Sequence, residues 1–360
     1  MVKKVYVIAY CKKNLGDDLM ILTLVRRYPE TIFYLFGAPK YKDAFINEKN
    51  IRYPSNLYYF LLRILNKFRV INISEGNILW KRRANLIIEI GGSMFIESIN
   101  CYERKVQKED QGIYYVGVNF GPYRSKKYLD NVRNKFLIAG DCCLRDRYSY
   151  QLFQDIPSVR YAPDILFSKK NIPKLKKGEG IGISVIELSR RENISEMAHI
   201  YYHVLAELCD IAINKGIQIT IFSFCKDEGD EEAISIIKGM VKKKEYVNTC
   251  NYGGDTKEII NQLNNCEYIF ATRFHAMILG WVLGKKVFPI IYSKKQSNVM
   301  EDIGYQGGSW NLLAKQKYTA DRLLEDCLKN QSFNVENQIN FAEQQFSAID
   351  TRLKTGLEVK

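Results

Sequence analysis

Tyr268–Gly284, YIFATRFHAMILGWVLG, reads as a strand that passes directly into a helix. The apolar run Tyr268–Ala271 has the character of a buried strand. From Phe274 onward, Phe274, Met277, Ile278, Trp281 and Val282 recur on one helical stripe. Thr272, between the two, is expected to cap the helix. Arg273 and His275 therefore stand where a strand's carboxyl end meets a helix's amino end. In an open α/β sheet this is where ligands bind. Backbone N–H groups and the helix dipole favour an anion there. Arginine adds a fixed fork for phosphate or carboxylate, and histidine a group that exchanges protons near neutral pH. The stretch reads as an anion site with an acid/base group in it. By residue type alone, a His275 that merely caps or packs fits equally well. The other two histidines, His199 and His203, lie in what reads as an ordinary helix.

The same alternation of short apolar runs and amphipathic patterns extends over the whole chain. Candidate strands are Val5–Ala9, Ile32–Phe36, Asn85–Ile90, Ile113–Phe120 and Phe136–Ala139, then Gly180–Val185, Ile217–Phe224, Tyr268–Ala271 and Val287–Tyr292. Candidate helices include Asp17–Arg27, Ser195–Lys215, Glu231–Lys243, Thr256–Asn264 and Leu323–Lys329. Such alternation implies parallel sheets covered by helices. The polar, basic stretch Ser168–Gly180, SKKNIPKLKKGEG, carries Pro173, Gly178 and Gly180 and marks the expected junction. The fold class expected is α/β, with two Rossmann-like domains whose parallel sheets face across a cleft, a common place for a ligand. An N-terminal domain is expected over residues 1–167, a linker over 168–180 and a C-terminal domain over 181–335. The last segment, 336–360, is expected to be a helix, over Asn337–Leu357, packing back on the first domain.

A chain of 360 residues with 46% hydrophobic content is large enough for two cores. Its 53 Lys and Arg against 40 Asp and Glu leave a formal charge of +13. That excess favours an acidic partner: a phosphorylated substrate, an anionic membrane surface or nucleic acid. The basic residues are dispersed and no nucleic-acid-binding motif occurs, so nucleic acid is not expected. Nine scattered cysteines show neither CxxC nor a paired Cys/His spacing. They read as reduced core residues of a cytoplasmic protein, with no signal peptide and no metal site expected. No stretch approaches the roughly 18–20 apolar residues of a membrane span.

Other motifs stand at other strand ends. Val5–Ala9 runs into CKKNLGDD, Cys11–Asp18, with Gly16 at the bend. Asp17 and Asp18 in a first helical turn stabilise the helix dipole. If they are functional, two carboxylates would hold sugar hydroxyls or accept a hydroxyl proton rather than bind an anion. Asn14 has the same capacity for a hydroxyl. Gly91-Gly92 ends the strand NLIIEI, where paired glycines let backbone approach a ligand or simply turn. Gly117–Gly121, GVNFG, repeats that logic. Arg145 and Arg147 flank Asp146 beyond another strand, as cleft cations or as surface partners of Asp146. Lys294 and Lys295 follow VFPIIYS. Tyr58–Arg83 is different in kind: YYFLLRILNKFR joins an apolar face to Arg63, Lys67 and Arg69, and Trp80 to Arg83 follow. Such a segment lies on an anionic membrane surface, or packs on the core with a solvated basic face; the second reading is the more common.

Together these pieces resemble the polysaccharide pyruvyl transferases, through most of the chain and in the family's order. The resemblance rests on N-x-G-D-D in Asn14–Asp18, Gly91-Gly92, the stretch GVNFGPY and L-R-D-R-x-S in Leu144–Ser149. It continues with A-P-D in Ala162–Asp164, F-S-F-C in Phe222–Cys225, Asp230-Glu231, R-F-H-A in Arg273–Ala276 and Y-x-x-K in Tyr292–Lys295. It implies a GT-B-like pair of Rossmann domains. The activity it implies is transfer of the enolpyruvyl group of phosphoenolpyruvate to a sugar as a pyruvate ketal. Phosphoenolpyruvate is then a co-substrate, with no cofactor. Its carboxylate and phosphate would be held by Arg273, Arg145, Lys295 and His275, because guanidinium binds both groups bidentately. His275 is the candidate acid and Asp17 the candidate base. Asn14, Asp17, Asp18, Gly91 and Gly92 would face the acceptor, a bacterial polysaccharide sugar such as galactose or its lipid-linked precursor. A lipid-linked acceptor would bring the cytoplasmic protein to the inner membrane face, with Tyr58–Arg83 as the contact. Two other classes remain compatible. One is a GT-B glycosyltransferase with a nucleotide sugar, whose ribose contacts would come from Asp227, Glu228, Asp230 and Glu231. The other is a non-catalytic sugar-phosphate-binding protein.

Overall fold

The computed structural model describes residues 3–68, 78, 80–97, 110–168, 172–191 and 193–355. The chain forms two compact units. The first comprises Met1–Lys12, Asp17–Ile165 and Asn340–Lys360, the second Lys13–Gly16 and Leu166–Ile339.

The first unit is built on seven strands: β1 (Lys4–Ile8), β2 (Ile32–Leu35), β3 (Ile51–Arg52), β4 (Leu86–Ile90), β5 (Tyr114–Val118), β6 (Asp141–Leu144) and β7 (Val159–Tyr161). They lie side by side in the order β3-β2-β1-β4-β5-β6-β7, and every pairing is parallel. Its helices include α1 (Leu15–Arg27), α2 (Asn56–Lys67), α3 (Lys126–Leu137) and α4 (Arg147–Phe153). A strand covered on both faces must be apolar throughout, and β5, YYVGV, is buried at every position. Helix α3 sets Tyr128, Val132 and Phe136 on one face against Tyr115, Phe120 and Phe153.

The second unit repeats the plan with β8 (Ile181–Ser184), β9 (Ile219–Ser223), β10 (Val247–Asn251), β11 (Tyr268–Ala271), β12 (Lys286–Ile291) and β13 (Trp310–Asn311). Their order, β10-β9-β8-β11-β12-β13, is the Rossmann order, again wholly parallel. The helices include α5 (Ala198–Asn214), α6 (Asp230–Met240), α7 (Thr256–Asn265), α8 (Phe274–Val282), α9 (Lys294–Ile303) and α10 (Ala320–Lys329). The core joins α5 and α10 to the sheet through Tyr201, Leu205, Leu208, Ile183, Phe270 and Leu323. In each unit the strand order reverses direction once, beside β1 and β4 in the first and beside β8 and β11 in the second.

The fold departs from the sequence reading in identifiable places. Phe136–Ala139 is not a strand. Its apolar run is the end of α3, with Phe136 buried on the helical stripe and Leu137 exposed, and the strand is the next segment, Asp141–Leu144. The short strands β3, β7, β10 and β13 carry no apolar run long enough to announce them. The expected linker 168–180 is in its later part bonded into the second unit. Lys176 N donates to Asn264 Oδ1, Glu179 N to Asn265 O at 2.7 Å, and Glu267 N to Gly180 O. The two compact units divide between Ile165 and Leu166. A polar composition does not distinguish a free linker from a segment whose backbone is paired. Residues 169–171 lie outside the described residues, as do 69–77 and 79 of Tyr58–Arg83 and Cys101.

The final segment is broken rather than one helix. A helical turn pair, Glu336–Ala342, gives way to shorter helical pieces at Glu343–Phe346, Ser347–Asp350 and Thr351–Thr355. Within the first unit Arg27 donates from Nε to Asp350 at 2.9 Å and from Nη1 to Glu343 at 2.5 Å. Gln345, fully buried, accepts from Gly117 N at 2.8 Å and donates to the carbonyls of Ala162 and Pro163. The eight described cysteines are free and buried, and burial pushes Cys143, Cys209, Cys225 and Cys266 up to about 12. These thiols are structural. Because Gln345 satisfies three buried backbone groups, Gln345→Ala is expected to lower the unfolding free energy by about 1–3 kcal/mol in urea titration. An unchanged midpoint would show that the terminal segment does not depend on it.

Candidate active site

The second unit's site grows from the reversal point of its sheet. β8 ends at Ser184 and β11 at Ala271, which are neighbours in register. Ser184 Oγ accepts from Arg273 N at 3.1 Å, fixing the chain as it leaves β11. The residue that caps α8 is Arg273, with extended backbone (φ −66, ψ 132), and no side chain bonds the helix end. Thr272 does not cap as expected. It is fully buried, with its hydroxyl 3.0 Å from the Tyr201 hydroxyl, because the sheet's interior claims it before the helix begins.

The Arg273 guanidinium points into protein. Nε donates to Asp230 Oδ2 at 2.9 Å, Nη2 also reaches Asp230, and Nη1 donates to Glu228 Oε2 at 2.5 Å. Asp230, at the start of α6, also accepts from the N–H groups of Phe224 and Cys225 at 2.8 and 3.0 Å. Glu228 takes Arg191 Nη2 at 3.4 Å and Asn14 Nδ2 at 3.2 Å. Burial works against charge on Glu228, yet Arg273, then Arg191 and Lys295, hold its carboxyl at about 2. The two carboxylates read as ribose contacts under the glycosyltransferase reading thus serve Arg273.

Around this core stand the other groups. Lys295 Nζ lies 5.4 Å from the Phe274 ring centre and 5.9 Å from that of Tyr292. Arg191 Cζ lies 5.6 Å from the Tyr292 ring. Burial pushes the Tyr292 phenol up, but Lys295, Arg273 and Arg191 outweigh it and bring it below its ordinary value. His275 is half-buried, edge-on to Phe274 at 5.1 Å. The backbone of Gly16 passes so close to it that a Cβ there would sit 1.6 Å from His275 Nδ1. Asn14 Oδ1 accepts from Gly16 N at 3.1 Å and Leu15 N donates to Phe224 O, so Asn14 shapes this turn. Tyr292 and Arg191 were not among the site residues expected, and Glu228 and Asp230 were expected only as ribose contacts of a glycosyltransferase. The Y-x-x-K and Asp-Glu motifs contained Tyr292 and Asp230, and nothing in the sequence singled out Arg191. His199 and His203 stack on α5, away from this group in sequence and element.

The first unit holds the remaining candidates. Arg145 follows β6 and is fully buried, donating to Asp164 Oδ2 and Asn119 Oδ1, each at 2.7 Å. Its guanidinium lies against Gly92, where a Cβ would sit 2.2 Å from Nη1. Asn119 N in turn donates to Gly92 O at 2.9 Å. The closely approaching group that Gly92 admits is therefore this arginine. Gly91 has φ +150, a conformation that favours glycine, and Asp17 lies beside it. Asp18 is fully buried in the first turn of α1, whereas Asp17 is half-exposed. Asp146 caps α4 by accepting from Ser149 N, and the exposed Arg147 lies over Tyr161. Among the described residues no group of three His, Cys, Asp or Glu side chains could hold a metal ion, and no helix is long and apolar enough to cross a membrane.

Two wholly parallel, Rossmann-ordered sheets define a two-domain α/β fold, with a histidine and three cations near the reversal point of the second. HepE from Anabaena in complex with UDP-glucose shares this fold at 11% identity and a TM-score of 0.58, over 99% of each chain. The UDP-GlcNAc 2-epimerase of Neisseria meningitidis bound to UDP-GlcNAc is similar at 10% identity and a TM-score of 0.57, over 98% of this chain and 100% of that one. At such identities the likeness is one of fold. No curated protein matches the chain. The model of the family "Polysaccharide pyruvyl transferase" matches residues 14–294, and the chain belongs to that family.

Two outcomes follow from the geometry. Gly16→Ala should displace the His275 ring and shift its NMR resonances, which are resolvable among only three histidines; unmoved resonances would refute the contact. For pH, the Glu228 carboxyl lies below its ordinary 4.5, at about 2. A depressed acid stabilises the fold fully above its unfolded value, and that stability is lost as pH falls through the folded value. Stability should therefore decline between about pH 4.5 and 2 by on the order of 2 kcal/mol from this group. Glu228→Gln should flatten that part of a urea-unfolding pH profile, and an identical profile would remove the assignment.

Proposed function

We propose that this protein moves the enolpyruvyl group of phosphoenolpyruvate onto a sugar of a bacterial polysaccharide or of its lipid-linked precursor, with galactose the favoured acceptor. The product is a pyruvate ketal, and phosphate is released. A capsule or exopolysaccharide is the setting that such a product fits. The observation that carries the reading is the grouping, at the reversal point of the second unit, of His275 and Lys295, both beside the Phe274 ring, with Arg191 and Arg273, both bonded to Glu228. Lys295, Arg191 and Arg273 carry one positive charge more than Glu228 and Asp230 offset, which favours an anion here, and carbon protonation requires an acid beside it.

In the proposed sequence His275 delivers a proton to the methylene carbon, leaving an oxocarbenium-like centre at C2. A sugar hydroxyl adds to C2 as Asp17 takes its proton. The C2–O bond to phosphate then breaks, phosphate leaves with the bonding pair and takes the proton held by Asp17, and a second hydroxyl closes the ketal as its proton returns to His275. Lys295 and Arg191 meet the carboxylate and phosphate. Arg273 adds its charge from behind, its orientation set by Asp230 and Glu228. Arg145 acts more indirectly in this scheme, holding the backbone of Gly92 through Asp164 and Asn119. On the acceptor side Asp17 offers a half-exposed carboxylate, beside the turn that Gly91 and Gly92 form. Asn14 and Asp18 support their turns.

Phosphate release from phosphoenolpyruvate, with and without galactosides and lipid-linked glycans, tests the reading. Release should depend on acceptor, and His275→Ala should lower turnover by about 10²–10⁴-fold. Near wild-type turnover in that variant would remove His275 as the acid. No release with any acceptor, together with stabilisation by a nucleoside diphosphate, would favour glycosyl transfer.

A further inference from the structure

Helix α2 carries apolar residues on two sides. Its inner side is built by Tyr58, Tyr59 and the buried Leu62. Tyr58 packs on Trp80 at 6.2 Å, Trp80 on Tyr34 of β2 at 5.7 Å, and Tyr59 on Phe36 at 6.3 Å. Trp80 is thereby an interior anchor. The outer side is formed by Leu57, Phe60, Leu61, Ile64 and Phe68, which are 68%, 59%, 48%, 36% and 72% exposed. Their spacing, i, i+3, i+4, i+7 and i+11, places them on one stripe of the helix surface. Arg63 and Lys67 are exposed beside that stripe, with no ion-pair partner among the described residues. The helix contains no acidic residue. Five large side chains in one exposed row exceed the scattered apolar residues of an ordinary surface.

We infer that the outer side of α2 docks on an anionic lipid bilayer surface. The apolar row would enter the boundary between headgroups and acyl chains, while Arg63 and Lys67 stay at the level of the lipid phosphates. Charge selects this occupant: a row flanked by cations, in a chain of formal charge +13, matches a negatively charged surface. The inference rests on α2 alone and holds whether or not phosphoenolpyruvate is the donor.

The test is co-sedimentation of the whole protein with vesicles of phosphatidylcholine alone, or with 30% phosphatidylglycerol, in the absence of any substrate. Binding should require the anionic lipid and weaken with salt. A Leu57→Ser, Phe60→Ser, Phe68→Ser variant should lose about tenfold or more in partitioning. Arg63→Glu, Lys67→Glu should lose a similar factor, and more of it at low salt. Both should keep the wild-type circular dichroism spectrum. Equal binding by wild type and both variants would overturn the inference, as would no binding to either vesicle. So would a concentration-dependent dimer abolished by the serine variant, which would make the row a protein contact.

Discussion

The second unit depends on one buried charge cluster: the Arg273 guanidinium closed by Asp230 and Glu228. An isolated guanidinium placed this far from water would cost several kcal/mol, and removing both acids would leave it without compensation. The cluster is tolerated because every side of it is satisfied. Asp230 receives two backbone N–H groups from the end of β9, and Arg273 N is held by Ser184 at the end of β8. Three strand ends and the start of α6 are tied through a single side chain. The groups that face outward from this knot, His275, Lys295, Tyr292 and Arg191, inherit their positions from it.

The first unit solves the same problem in the same way. Arg145 leaves the end of β6 and is closed by Asp164 and Asn119, with its plane against Gly92. In both units an arginine just beyond a strand reads from the sequence as a ligand contact. In both it is a buried tie between strand ends. Its charge still acts on whatever anion approaches, since a low-dielectric surrounding screens it weakly. In the second unit the partly exposed cations beside this tie are Lys295 and Arg191.

α2 belongs to a different layer of the design. Its inner aromatics are part of the first unit's packing through Trp80, so its place is set by the fold. Its outer row is exposed among the described residues. An apolar surface retained in water lowers solubility, and its persistence beside the exposed cations Arg63 and Lys67 is what a membrane surface would explain.

Much of the architecture was legible in the chain itself. The fold class and most strands and helices followed from the alternation of periods 2 and 3.6, because a parallel strand covered on both faces must be apolar and a covering helix amphipathic. The family's motifs marked the strand ends that matter, and Tyr268–Ala271 and Phe274–Val282 stand where their pattern placed them. What periodicity could not decide was which side of the backbone each motif residue faces. Arg145 and Arg273 turn inward, Asp18 is buried beside a half-exposed Asp17, and Gly16 passes against His275, all through contacts between residues far apart in the chain. Sequence determined that these residues lie at the ends of strands. Only the tertiary structure decided which of them are held by protein and which are open to a ligand, because that depends on the partners that folding brings to each charge.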